Sequence, residues 1–279
     1  MNTALLLILL LLTTPLLAMD PNPIAAKTYF DRGLAEMRSG NLEDAIADFT
    51  KALELDPRHA PSYNGRGNAY MAMEQYDQAV SNYTRAVEID PTYAEAYNNR
   101  GFAYASEGQF DRAISDFTKT VELNPKHFVA YGNRAGVYET RGQYNEAISD
   151  YTRALDANPQ YTVAYNNRGL TYFRMGQYDK AILDFNKALE LNPRFAFAYN
   201  NRGVAYAGKG QYEQAVSDHT KALALEPRYA RAYVNRASAF FHLKNYDNAW
   251  DDVHKAQTLG QGIREEFLND LRRASGREK

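Results

Sequence analysis

Seven copies of one short stretch, each 34 residues after the last, decide what this chain can become. The clearest are Ala96-Tyr97-Asn98-Asn99-Arg100-Gly101, Ala164-Tyr165-Asn166-Asn167-Arg168-Gly169 and Ala198-Tyr199-Asn200-Asn201-Arg202-Gly203. Looser copies occupy 62–67, 130–135 and 232–237, and a degenerate one occupies 28–33. Proline keeps the same beat at Pro57, Pro91, Pro125, Pro159, Pro193 and Pro227. A fixed period of this length means a stacked array, because one unit cannot bury its apolar face alone.

Each unit reads as two helices joined by a turn. In the fifth, 164–175 forms the first helix and Gly176 ends it, since glycine takes the left-handed cap conformation cheaply. The second helix starts near Asp179, whose charge suits a helix N-terminus, and Pro193 prevents its continuation past about Leu191. Glycine or alanine recurs at the eighth position (Gly169 in this unit) and alanine at the twentieth (Ala181). The pairing predicts close approach of the two helices there.

The pattern resembles the tetratricopeptide repeat. The fifth unit supplies the family's large, small and aromatic positions as Tyr165, Gly169, Tyr172, Ala181, Phe185, Ala188 and Pro193. The resemblance implies an all-α, right-handed α-solenoid, a superhelix of helix-turn-helix repeats. Seven repeats are expected, at 26–59, 60–93, 94–127, 128–161, 162–195, 196–229 and 230–263. Phe267, Leu268, Leu271 and Ala274 share one face of a further helix, so 264–279 reads as a capping helix and tail. The last unit departs most from the pattern, with Val253 for the second aromatic and Gln261 for proline.

Residues 4–12 are an unbroken apolar run, too short for the roughly 20 residues that span a bilayer. They read as the core of a signal peptide over 1–18, followed by a linker over 19–25. The expectation is an exported chain, periplasmic or secreted, with membrane attachment only if the segment stays uncleaved. With no cysteine, a disulfide framework, a cysteine metal site and a lipoprotein anchored through a cysteine after the apolar run are all excluded.

Basic and acidic residues number 32 and 34 with no long run of one sign, which favours neither nucleic acid nor an anionic membrane as partner. All 22 tyrosines fall on five repeat positions, as packing requires. Arginine stands at the seventh position of every unit and aspartate, or once Asn82, at the twenty-third. Pairs Arg100–Asp116, Arg134–Asp150, Arg168–Asp184 and Arg202–Asp218 are expected between the two helices of a unit. No metal site, cofactor site or catalytic constellation stands out. The five histidines lack metal spacing, and no phosphate-binding loop or nucleophile motif is present.

The sharpest signal is asparagine at the sixth position of five consecutive units: Asn99, Asn133, Asn167, Asn201 and Asn235. The resemblance implies that this position faces a concave groove formed by the first helices. A carboxamide donates and accepts at once, so a row of them can hold the main chain of an extended peptide. The row is similar to the asparagine ladder of the O-linked N-acetylglucosamine transferases, whose catalytic domain has no counterpart here. The competing reading is that the amides bond one another. Phe102, Leu170, Phe173, Phe197 and Val204 give the same groove an apolar lining. The lysines that clamp acidic chaperone tails in some members are missing. The expected function is a non-catalytic scaffold that binds an extended segment of another protein. Alternatives are a membrane-tethered assembly factor and a module that binds a small ligand or glycan for a partner enzyme.

Overall fold

The computed structural model describes residues 22–277. The expected signal peptide, and the linker up to residue 21, lie outside them. The described residues form fifteen α-helices, α1 (Pro23–Ser39), α2 (Leu42–Leu55), α3 (Ala60–Ala72), α4 (Tyr76–Ile89), α5 (Ala94–Ser106), α6 (Phe110–Leu123), α7 (Phe128–Thr140), α8 (Tyr144–Ala157), α9 (Thr162–Arg174), α10 (Tyr178–Leu191), α11 (Ala196–Gly208), α12 (Tyr212–Leu225), α13 (Ala230–His242), α14 (Tyr246–Thr258) and α15 (Glu265–Ser275), with no strand among them. The fold is an all-α solenoid of helix-turn-helix repeats. It divides into two compact units, with the boundary inside α5 after Ala103.

The end of the expected linker is helical instead. Asn22 Oδ1 accepts from the backbone of Ala25 at 3.1 Å, and Pro23 opens α1. Proline fits the first helical turn because its missing N–H would have no partner there. The backbone N–H of Asn22 also donates to the carbonyl of Leu55 at 2.8 Å, tying this start to the end of α2.

In the first unit α1 packs on α2 and α3 on α4; in the second, α7 packs on α8, α9 on α10, α11 on α12 and α13 on α14. In α1–α2, α3–α4, α9–α10 and α11–α12 the core is an aromatic ring of the second helix pressed on a glycine of the first, and in α13–α14 the buried Val253 takes the place of the ring. Phe49, Phe117 and Phe185 are completely buried, a gain of roughly 1.5–3 kcal/mol per side chain. A Cβ on Gly169 would lie 2.8 Å from the Phe185 ring, and one on Gly33 would lie 2.8 Å from Phe49. The small eighth residue therefore makes room for the aromatic at position 24. The alanine at position 20 is a secondary neighbour, seen where the carbonyl of Ala181 would meet the same Cβ of Gly169 at 3.2 Å.

The turns follow from the prolines and glycines. The residue before each proline is driven out of the helical region, as at Asp56, Asn158 and Asn192. Where that residue is aspartate or asparagine, its short side chain accepts the backbone N–H two residues on, for example from Arg194 to Asn192 at 3.0 Å. In the last repeat, which lacks the proline, Gly260 takes a left-handed conformation (φ 81°) just after α14 and turns the chain toward α15. Phe267 of α15 meets Phe241 of α13 at 5.7 Å between ring centroids, and Leu268 and Leu271 are buried.

The left-handed position between paired helices is glycine in five repeats, at φ 72–81° for Gly176 through Gly40. Glu74 and Lys244 occupy it in the second and seventh at φ 58°. A Cβ there crowds the neighbouring carbonyl oxygen. Glu74→Gly is therefore expected to stabilise the fold by about 0.5–1 kcal/mol, after subtracting glycine's greater freedom in the unfolded chain. The urea midpoint should rise with an unchanged slope. A fall in midpoint would show that the strain is absorbed elsewhere.

Candidate functional site

The first helices are neighbours across repeats: α1 touches α3 in the first unit, and α7, α9, α11 and α13 follow one another in the second. Their shared face carries the asparagines. Asn201 Nδ2 donates to Asn166 Oδ1 at 2.9 Å, and Asn235 Nδ2 donates to Asn200 Oδ1 at 2.9 Å. In the first unit Asn99 Nδ2 donates to Asn64 Oδ1 at 3.0 Å and to Asn68 Oδ1 at 3.1 Å. In these three cases the sixth-position amide is bonded to the fifth-position asparagine of the repeat before, whereas the residue that would serve Asn167 in this way is Gly132. Asn166 also donates to Asn167 at 3.0 Å. Asn133 lies half-buried on α7, and it too is engaged.

The fifth-position asparagines are the buried members of this network, with Asn200 only 3% exposed. Sequence reasoning singled out the sixth position and passed over its partner. The available signal was that the two positions lie 35 residues apart across adjacent first helices. A primary amide has two N–H groups, and Asn201 and Asn235 each direct one bond to a neighbouring amide, so these two half-buried side chains keep further bonding capacity.

The apolar candidates divide in two. Phe197 and Phe102 are about half exposed, at 55% and 49%, and Val163, one repeat before Phe197 at the same position, is 47% exposed. Leu170 and Phe173 are half-buried and pack on the Phe185 core, Phe173 lying 5.5 Å from the Tyr178 ring. Val204 is also half-buried. Phe197 stands beside Tyr229 at 5.0 Å and Phe195 at 6.4 Å. These rings, with Leu170, Asn166, Asn201 and three arginines, line a cleft of about 740 Å³ within the second unit.

The arginine row is tied down. Arg134 Nε and Nη2 donate to the two carboxylate oxygens of Asp150 at 2.6 and 2.9 Å. Arg168 does the same to Asp184 at 2.8 and 2.8 Å, and Arg202 to Asp218 at 2.7 and 2.7 Å. Asp116 is buried on α6, while Arg100, in the other unit, donates to Thr84 at 3.2 Å. Burial pushes the Arg134 guanidinium toward deprotonation, but the bond to Asp150 and that carboxylate's charge outweigh it and hold it above its ordinary value.

Two further contacts of these arginines are absent from the sequence reading. Nη1 reaches back to the preceding repeat, from Arg134 to Thr118 at 2.7 Å, Arg168 to Thr152 at 2.9 Å and Arg236 to Thr220 at 2.9 Å. Each guanidinium also lies over the tyrosine three residues earlier, as Arg168 over Tyr165 at 5.8 Å. A threonine column at position 25 carried the first signal. These arginines therefore staple repeat to repeat, and they leave no free row of positive charge. In the second repeat Asn82 replaces aspartate, and Arg66 bonds to its Oδ1 at 2.8 Å and to Thr50 at 3.0 Å.

Among the described residues no cluster of histidine, aspartate and glutamate is placed to hold a metal ion, and no helix is long and apolar enough to cross a membrane.

Sequence profiles described as tetratricopeptide repeat match residues 26–59, 94–127, 162–195 and 196–229, and 49–81 and 117–149. A profile described as TPR repeat matches 67–108 and 137–176. No curated protein sequence matches the chain. Among solved structures, one of MamA is 31% identical, covers 62% of this chain and 94% of that chain, and superposes with a TM-score of 0.55. YrrB, described as a TPR protein with an unusual peptide-binding site, is 27% identical over 66% of this chain and 95% of that one, at a TM-score of 0.55. A tetratricopeptide repeat protein from Parabacteroides merdae is 21% identical, covers 90% and 99% of the two chains, and has a TM-score of 0.66, a likeness of fold alone. With repeat matches tiling residues 26–229 and the paired helices that those repeats demand, the chain belongs to the tetratricopeptide repeat family.

Proposed function

We propose that the chain is a non-catalytic scaffold that holds an extended segment of a partner protein along the face of its first helices. The observation that carries this reading is the half-exposed Phe197, set in an aromatic wall beside amides that retain bonding capacity. Repeats of this fold commonly serve protein interaction, and YrrB is described as having a peptide-binding site. An extended strand rises about 3.3 Å per residue and packed helices sit about 8–10 Å apart. One amide rung can thus meet the main chain once in roughly three residues. Export, as residues 4–18 suggest, belongs to the proposal.

The test is a peptide-display selection on the exported form, residues 19–279. It is run beside Asn133→Ala/Asn167→Ala/Asn201→Ala and beside Phe197→Ser. Because the amides also bond one another, helicity and melting of the triple variant are compared with wild type. Phe197→Ser alters an exposed side chain and leaves the network intact. Selected peptides should lose at least tenfold in affinity, about 1.4 kcal/mol, in both variants. Equal enrichment by all three proteins would place any binding elsewhere and reject the groove.

A further inference from the structure

The cleft of the second unit has a charge that the balanced sequence hides. Arg174, Arg228 and Arg231 line it and no carboxylate does. Arg174 is neutralised, since its guanidinium pairs with Glu139 of α7, which also accepts from the Tyr151 hydroxyl at 3.2 Å. Arg228, in the turn before α13, and Arg231, in its first turn, are exposed and make no ion pair among the described residues. They differ in this from Arg134, Arg168, Arg202 and Arg236 of the same unit, each of which is locked on an aspartate.

The two free cations sit beside the aromatic wall of Phe195, Phe197 and Tyr229. Building on the peptide-groove reading, we infer that this cleft selects an extended peptide segment carrying an acidic side chain next to an aliphatic or aromatic one. The carboxylate meets Arg228 and Arg231, and the apolar side chain lies against the rings. A guanidinium forks onto a carboxylate with two parallel hydrogen bonds, which fixes the orientation of the acid. The ring wall supplies apolar area that a purely acidic ligand would leave uncovered. A basic segment meets only repulsion there, because no carboxylate lines the cleft.

The experiment compares wild type, Arg228→Glu/Arg231→Glu and Phe197→Ser against one displayed peptide library. Leading peptides are then measured by fluorescence anisotropy, each beside its isosteric form with Glu and Asp replaced by Gln and Asn. Wild type should enrich acidic-apolar peptides. The amide forms should bind at least tenfold more weakly, the charge-reversed variant should lose the same factor, and affinity should fall as salt rises. Peptides that are lost with Phe197→Ser yet indifferent to charge reversal and to amidation would overturn this inference and leave the groove reading standing. If no peptide is enriched, or none responds to Phe197→Ser, the groove reading fails and the inference fails with it.

Discussion

Asp150→Ala should destabilise the protein by roughly 3–5 kcal/mol, whereas Asp48→Ala, the same change three repeats earlier in the array, should cost about 1 kcal/mol or less. Both aspartates are buried and both take a two-point bond from the arginine sixteen positions before. The difference lies in the arginine. The Arg134 side chain is 9% exposed and the Arg32 side chain 59%. Removing Asp150 leaves a guanidinium charge inside the protein with Thr118 as its remaining polar partner, while Arg32 simply turns to water. Double replacement Arg134→Met/Asp150→Leu removes the orphan charge as well, so it should cost clearly less than Asp150→Ala alone. Urea unfolding followed by circular dichroism measures all three. In a repeat array stability is a sum of repeat and interface terms, so an interior weakness can also broaden or split the transition. Equal losses for Asp150→Ala and Asp48→Ala would show that burial of the arginine is not what sets the cost.

The repeat frame was legible because it is written in residues whose backbone chemistry is nearly context-free. Proline ends the second helices, glycine caps the first, and the period alone implies stacking. The Arg–Asp pairs within the second unit were legible too, since a fixed offset of sixteen joins two opposed faces of one repeat. Contacts between repeats were harder to read. The bond from Arg168 to Thr152 and that from Asn201 to Asn166 join columns that look unrelated until two copies are laid side by side. The asparagine row shows the consequence. Read as one column it suggests free amides; set against the fifth-position column it becomes a network bonded to itself. The start of α1 was misplaced because Asn22 and Pro23 lie outside the repeat period, and only their capping geometry marks them. The free charge of Arg228 and Arg231 was invisible for another reason. Overall charge balance says nothing about which cations have found partners.

His219→Phe should raise stability at neutral pH by roughly 1–3 kcal/mol, and should raise it further as the solution is acidified. His219 holds the position that Phe49, Phe117 and Phe185 hold in other repeats, completely buried against Gly203. Neither ring nitrogen has a hydrogen-bond partner. Burial, helped by the nearby charge of Arg236, lowers its pKa to about 3, against about 6.5 for an unperturbed histidine. The folded protein therefore refuses a proton that the unfolded chain accepts. Above pH 6.5 both states carry the neutral ring and this group adds no pH dependence. Below it, stability falls by about 1.4 kcal/mol per pH unit until the folded value near 3 is reached. Between pH 7 and pH 4.5 the histidine thus removes about 2–3 kcal/mol, and phenylalanine removes none. Carboxylates paired with the arginines titrate in both proteins, so the quantity to measure is the difference between the two urea midpoints at each pH. That difference should widen steadily below pH 6.5. A constant gap would mean that His219 finds a proton acceptor or water in the folded state. A variant less stable than wild type at pH 7 would mean that the space over Gly203 is shaped for the smaller ring.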